Sequence, residues 1–401
     1  MLPILLDDQA ATAWLRPHLG DNTDVRRQYL RYKPGTSCVV AAELRSELGA
    51  RQVVLAAYSP SAVAKAEKTL AQAAPEAVLA QDPSGRLLVM TPGADRHLPG
   101  LRVLADPRRR VRLARRLLML ERRPAESEVE VTTLSYKPHR RWVGLLRCAD
   151  RTMVLRCYRP RDAGPAINAA TMMSTVPLPT QRVVGVDLER GIVALDFLHG
   201  PTLEVRRTAA DLRAVGRALA TLHAQPVALP PWTPQDETRA VRRAVRQVAQ
   251  LSPDLAPAAE AAVAAATARL QASAAARMPE LVLSHGDFSL DQVVAGREGA
   301  AFIDFDRATR GPAEADLGSL AAAALVDGHG HPADILPDVL RGYAEIRPVP
   351  GDDAIALWTV GHLLRRAAEP FRSCRTDWSV DMAQIVATAT GLLAGAAEGR
   401  P

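Results

Sequence analysis

Lysine is almost missing from this chain of 401 residues: only Lys33, Lys65, Lys68 and Lys137 occur among 50 basic residues. Beyond residue 137 every fixed positive charge must come from arginine. Aromatic residues amount to 4%, so Leu, Val and Ala must fill the interior. No run of 18 apolar residues occurs, which leaves no candidate for a membrane-spanning helix. The four cysteines, Cys38, Cys148, Cys157 and Cys374, show no C-x-x-C spacing. That spacing argues against a zinc site and for free thiols in a reducing compartment. The first ten residues carry Asp7 and Asp8 where a secretory leader needs a basic start and a longer apolar run, so the expected location is cytoplasmic.

What is present fits a multi-unit enzyme. A chain of this length exceeds the size at which one core stops growing, so two or three packed units are expected, and a hydrophobic content of 48% supplies their cores. The net charge is +6. Its densest basic run, residues 108–118, alternates arginines with Leu and Val at helical spacing and reads as an amphipathic helix with a solvated face. Nucleic-acid binding would call for stacking aromatics or a reader fold beside that charge, and the run has neither. An anionic substrate or an acidic peptide is the partner such a patch would favour.

The chemistry concentrates late in the chain. His285, Gly286 and Asp287 are followed after four further residues by Gln292, and then by Asp304 at the end of an apolar segment. Phosphoryl transfer uses this spacing: an acid on a loop, an amide five residues on, and a second acid on a strand. Asp287 would accept the proton of an acceptor hydroxyl. Gln292 and Asp304 would hold Mg²⁺ through hard oxygen donors. Apolar residues 281–283, 293–294 and 301–303 read as short strands that fix the loop from both sides. H-G-D alone would be an ordinary turn, but the whole constellation in register is not.

These residues resemble the aminoglycoside phosphotransferase and choline kinase family, whose members share the bilobal fold of protein kinases. The matching features are the H-G-D loop, the strand leading to Asp304, and the trailing segment 311–318 with Asp316. Upstream, residues 195–203 resemble the family's hinge and residues 215–224 its first C-lobe helix. The resemblance implies an α+β fold, with a small antiparallel N-lobe and a mainly helical C-lobe. It implies ATP and Mg²⁺ as cofactors, with Asp287 as catalytic base, Asp304 as metal ligand, and Asp316 as a support for the catalytic loop. Asp196, Phe197 and Leu198, in the hinge-like segment, would bind the nucleotide.

Three departures from that family stand out. Gln292 replaces the usual Asn, and its extra methylene shifts the amide oxygen within a near-octahedral site. Arg156, in the strand-like segment 153–159, occupies the position of the family's lysine, and arginine is longer and planar. Lys137, from a neighbouring turn, is the other candidate for the phosphates. The helix expected around residues 164–175 contains no Asp or Glu to pair with that cation.

An internal repeat organises the first half. Residues 30–39 recur at 134–143, residues 53–60 at 153–160, and 87–90 is echoed at 192–195, in the same order. Residues 126–200 are therefore the expected nucleotide lobe and 201–401 the helical lobe with the acceptor site. Residues 1–125 would form a degenerate N-lobe-like cap. Ala56 stands at the cation position of the first copy, which argues against a second ATP site there and for a structural role. Residues 258–276 and 354–367 read as helices of the second lobe. His223 and His362 are read as helix-packing or surface residues. Glu369, Asp377 and Asp381, set among Arg372, Arg375 and Trp378, identify no acceptor.

The expected function is transfer of the γ-phosphoryl group of ATP to a hydroxyl of a small polar metabolite, such as a sugar, an aminoglycoside-like compound or a biosynthetic intermediate. Two alternatives stay open: a kinase acting on Ser or Thr of a precursor peptide, and a weakly catalytic pseudokinase that serves as a binding module.

Overall fold

The computed structural model describes residues 1–398 apart from 48, 205–206, 227–228, 277–278, 297–298 and 329. Two compact units divide the chain. The first comprises Met1–Ile167, Val183–Phe197 and Phe371–Thr376; the second comprises Asn168–Arg182, Leu198–Pro370 and Asp377–Pro401.

In the first unit, α1 (Leu2–Leu6) and α2 (Asp8–Leu19) precede β1 (Asp24–Lys33), β2 (Ser37–Ser46) and β3 (Gly49–Tyr58). Then come α3 (Val63–Gln72), β4 (Val78–Gln81), β5 (Leu87–Met90), α4 (Pro99–Ala105) and α5 (Pro107–Leu117). The pattern repeats as β6 (Val129–Lys137), β7 (Arg141–Cys148), β8 (Arg151–Tyr158), α6 (Pro160–Met173), β9 (Val183–Asp187) and β10 (Ile192–Asp196). Both sheets are antiparallel, with the orders β1-β2-β3-β5-β4 and β6-β7-β8-β10-β9. Their registers agree at the cation position. Arg156 faces Val143 and Val193, just as Ala56 faces Val39 and Leu88.

The two sheets share one hydrophobic core, which runs from Val39 and Leu88 of the first to Leu146, Leu155 and Ile192 of the second. A buried carboxylate reinforces the seam. Asp95 accepts from the Tyr136 hydroxyl at 2.9 Å and from the backbone N–H groups of His139 at 2.8 Å and His97 at 3.0 Å. Burial raises its pKa despite those bonds. The neighbouring rings lose charge for the same reason: burial, reinforced by nearby cations, lowers His97 to about 4 and His139 to about 3. The β6–β7 turn of the second copy is thus bonded into the first copy, which stabilises both sheets together.

The basic run forms α5, as its periodicity predicts. Pro107 opens the helix, Asp106 caps it by accepting from Arg109 N–H, and Val111, Leu113, Ala114 and Leu117 turn inward. Helix α6 corrects one expectation. It begins at Pro160 rather than near 164, so it contains an acid, Asp162, but that carboxylate pairs with Arg159.

The second unit is mainly helical: α7 (Ala209–His223), α8 (Pro234–Leu251), α9 (Ala256–Ala276), α10 (Ala313–Asp327), α11 (Pro332–Ala344) and α12 (Asp352–Arg366), followed by α13 (Glu369–Arg372) and α14 (Trp378–Glu398). Thr208 with Asp211 and Thr233 with Asp236 form capping boxes that start α7 and α8. Helix α10 has Ala or Leu at nine of its fifteen positions and is buried along most of its length; it packs on α12, while α7 packs on α11. Between α9 and α10 lie the short strands β11 (Leu281–Ser284), β12 (Val293–Gly296), β13 (Gly299–Phe302) and β14 (Thr309–Pro312), with β11 paired to β14 and β12 to β13. The segment after the hinge-like residues is anchored to β12 by Leu203 N–H to Val293 O at 3.0 Å. Gly200 makes that approach possible, since a Cβ there would lie 2.1 Å from Ala295 O.

Candidate active site

The H-G-D segment leaves β11 and is held from two sides. His285 is fully buried. Its Nε2 lies 2.9 Å from Ile303 O, and its ring centroid is 4.8 Å from that of Phe305. That hydrogen bond ties the loop bearing Asp287 to the segment bearing Asp304. Gly286 has φ 80° and presses against Arg307 O, where a Cβ would come within 2.1 Å. Only glycine supplies both the left-handed conformation and the clearance.

The second support is Asp316, at the start of α10 and also 0% exposed. Its carboxylate accepts from His285 N–H at 2.7 Å and Gly286 N–H at 2.9 Å, and His223 Nε2 lies 3.1 Å away. His223 Nδ1 is 2.8 Å from the Tyr343 hydroxyl. The ionised Asp316 carboxylate can only accept, so the proton between the two lies on His223 Nε2, and burial pushes Tyr343 up to about 12, which keeps its O–H beside Nδ1. Burial disfavours ionised Asp316, but the His223 bond and the backbone donors outweigh it and hold its pKa below the ordinary 3.8. His223 is thus more than a packing residue: it completes the mounting of the H-G-D loop.

Asp287 projects from this mount with its side chain 39% exposed. Arg307 Nη1 approaches one oxygen at 3.2 Å and Arg366 Nη2 the other at 3.1 Å, while Arg366 Nη1 reaches Asp327 at 3.3 Å. Burial alone would raise the Asp287 pKa, but Arg307, Arg366 and Arg365 outweigh it and bring it down to about 2. Such a carboxylate is ionised at any physiological pH but is a weak base. That suffices for phosphoryl transfer, where the loose transition state asks for positioning of the hydroxyl more than early proton removal. Neutralising Arg366 removes a charge that favours the carboxylate, so the Asp287 pKa must rise. We expect Arg366→Gln to move the acidic limb of the kcat/KM profile to higher pH, measured as ADP release across pH 3 to 8 at roughly one-unit intervals.

Gln292 and Asp304 flank the β12–β13 pair. The β12–β13 ladder extends through Ile303 N–H to Gln292 O at 3.0 Å, which places the two residues near each other in register. Gln292 Nε2 donates to Asp291 at 2.8 Å, an orientation that leaves Oε1 for a cation. The strand itself stops at Phe302, and Asp304 follows in the left-handed region at φ 68° and ψ 54°. A non-glycine residue there stores backbone strain that the surroundings must enforce, as is common at functional sites. No group of three His, Cys, Asp or Glu side chains is gathered for a metal among the described residues. An amide oxygen and one carboxylate nonetheless suit Mg²⁺, which keeps waters and phosphate oxygens for most of its shell.

Of the remaining expected residues, Arg156, Lys137, Asp196 and Phe197 lie in the first unit and Leu198 in the second. Arg156 is 6% exposed on β8, with Nη1 3.4 Å from the Tyr158 hydroxyl. Lys137 ends β6 with Nζ 5.5 Å from the Tyr29 ring centroid. Asp196 ends β10 opposite Met153, and Phe197 and Leu198 continue the chain where the first unit gives way to the second. Sequence reasoning missed Arg307, Arg366 and the role of His223. Arg307 stands only three residues after Asp304, but nothing in the local pattern shows which carboxylate it meets.

Residues 141–358, more than half of the chain, match the family described as Phosphotransferase enzyme family. No curated protein matches the chain. Among solved structures, choline kinase from Cryptosporidium parvum Iowa II is similar at a TM-score of 0.57 and 10% identity, covering 73% of this chain and 97% of its own. Spectinomycin phosphotransferase in complex with ADP and spectinomycin gives 0.47 and 12%, covering 66% and 92%. The GDP complex of aminoglycoside 2'-phosphotransferase-IIIa gives 0.49 and 16%, covering 65% and 92%. The chain belongs to the phosphotransferase enzyme family and has the protein-kinase-like fold.

Proposed function

We propose that the protein transfers the γ-phosphoryl group of ATP to a hydroxyl of a small polar metabolite, with Asp287 as the group that orients the hydroxyl and receives its proton. The single observation that carries this reading is the joint mounting of the H-G-D loop and the Asp304 segment through His285 and Asp316. The acceptor oxygen forms a bond to γ-phosphorus, the bridging P–O bond breaks with its electron pair leaving on ADP, and the hydroxyl proton passes to Asp287. Gln292 Oε1 and the Asp304 carboxylate would hold Mg²⁺, which neutralises charge on the phosphate oxygens when bound. Arg156 and Lys137 are assigned to the phosphates and residues 196–198 to the nucleotide base. The match of residues 141–358 to the phosphotransferase enzyme family supports a kinase with a small acceptor.

The test is ADP release from ATP across a panel of hydroxylated metabolites, with and without Mg²⁺. We expect acceptor-stimulated release that disappears with EDTA. Tight nucleotide binding with no release under any acceptor would overturn the assignment and favour a binding module.

A further inference from the structure

Beside the catalytic loop the second unit contains a cavity of about 340 Å³, reached by Gly286 and Arg307 on one side and by α8 and α12 on the other. This lies at the small end of the volumes typical of small-molecule sites. Its wall includes two indoles, Trp232 and Trp358, with centroids 5.1 Å apart and planes tilted by 56°. Three of its lining residues each carry a buried polar atom with no hydrogen-bond partner among the described residues: Trp232 Nε1, Glu237 Oε1 and His362 Nε2. Glu237 and His362 are each 3% exposed. These atoms are closed off in the present side-chain positions, and an unsatisfied buried polar atom is costly, so a hydrogen-bonding occupant of the cavity toward which the side chains turn would satisfy all three.

The charges decide what kind of molecule fills it. Both carboxylates in the wall already have arginine partners: Glu237 Oε2 lies 3.2 Å from Arg365, and Asp236 is paired with Arg239. Arg307 and Arg365 themselves line the space. Asp287, just beyond it, is shared between Arg307 and Arg366. A cationic acceptor would therefore find no uncompensated carboxylate and would face two guanidiniums. An aromatic pair alone can hold a quaternary ammonium, but not with arginines on the same wall. Burial and the adjacent arginines lower the His362 pKa well below 6.5, so this ring too offers a neutral hydrogen-bonding nitrogen.

We propose that this cavity is the acceptor site and that it takes an uncharged polyhydroxylated ring, a neutral sugar or cyclitol, rather than an amino sugar or a quaternary amine. The apolar face of the ring would lie on Trp232 and Trp358. Its hydroxyls would accept from Trp232 Nε1, donate to Glu237 Oε1 and pair with His362 Nε2. The acceptor role rests on the phosphotransferase reading; the chemical class of the ligand does not.

The experiment uses the full chain and two readouts, calorimetric binding without nucleotide and ADP release with MgATP. The probes are neutral hexoses, their methyl glycosides, disaccharides and myo-inositol, set against glucosamine and choline. We expect at least one neutral member to bind, and its amino counterpart to bind about tenfold more weakly, the equivalent of one lost hydrogen bond to the site. Trp232→Phe and Glu237→Gln should each weaken the neutral ligand by a similar factor, with melting curves confirming that the variants fold. Because the comparison between neutral and amino ligands needs no variant, it stands even if a variant fails to fold. Preference for glucosamine or choline, or binding by no neutral member, overturns the proposal while leaving the kinase reading intact. Neutral-ligand binding without stimulated ADP release upholds the ligand class and removes the acceptor role together with the reading it rests on.

Discussion

Asp287→Asn should lower kcat for phosphoryl transfer by about 10²–10⁴-fold, the usual contribution of a positioned general base, while nucleotide affinity stays within about twofold because binding does not use this group. The amide keeps the shape of the side chain but can neither take the hydroxyl proton nor hold the hydroxyl as an ionised acceptor. It also releases Arg307 and Arg366, which now contact Asp287 at 3.2 and 3.1 Å; Arg366 keeps Asp327, so the loop is expected to remain in place. Steady-state ADP release and a nucleotide titration on the same preparation separate the two effects. Activity retained within tenfold would remove Asp287 from the chemistry, and the H-G-D segment would then be a structural turn.

The largest stability effect is expected at Asp316. Replacing it with Ala deletes a fully buried carboxylate and strands three donors, His285 N–H, Gly286 N–H and His223 Nε2–H. Removing one partner of a buried charged cluster costs about 3–5 kcal/mol, which denaturant unfolding would register as a lower midpoint with an unchanged slope. The same group predicts a pH dependence. Its folded pKa lies below the ordinary 3.8, so its contribution is complete above that value and is lost as pH falls through the folded pKa. Wild type should therefore lose stability in strong acid, and Asp316→Asn should lack that component. Equal acid sensitivity in the two proteins would show that the carboxylate is not the group being titrated.

Much of the site was legible because its parts are close in sequence. Asp287, Gln292 and Asp304 lie within eighteen residues, and short apolar strands between them leave the chain few ways to arrange itself. The repeat was legible too, because each copy carries its own turns and alternation, and both reach the same strand order. The start of α6 is not legible from its apolar spacing, because Pro160 is tolerated in a first helical turn, where it needs no N–H partner, so the helix begins early and takes in Asp162. His362 packs within α12 as expected, but a lone histidine on an apolar helix carries no signal of the cavity that it also lines.

The sequence alone determined the fold class, the repeat and the course of the H-G-D loop between its short strands, since backbone geometry over short stretches follows from residue type and spacing. Tertiary structure decided their electrostatic condition. Arg366 reaches Asp287 from 79 residues away, His223 reaches Asp316 from 93, and Trp232 meets Trp358 across the helical unit. Coulomb attraction, burial and ring contact depend on distance through space, and no local pattern in the chain encodes which distant side chains will share a cavity.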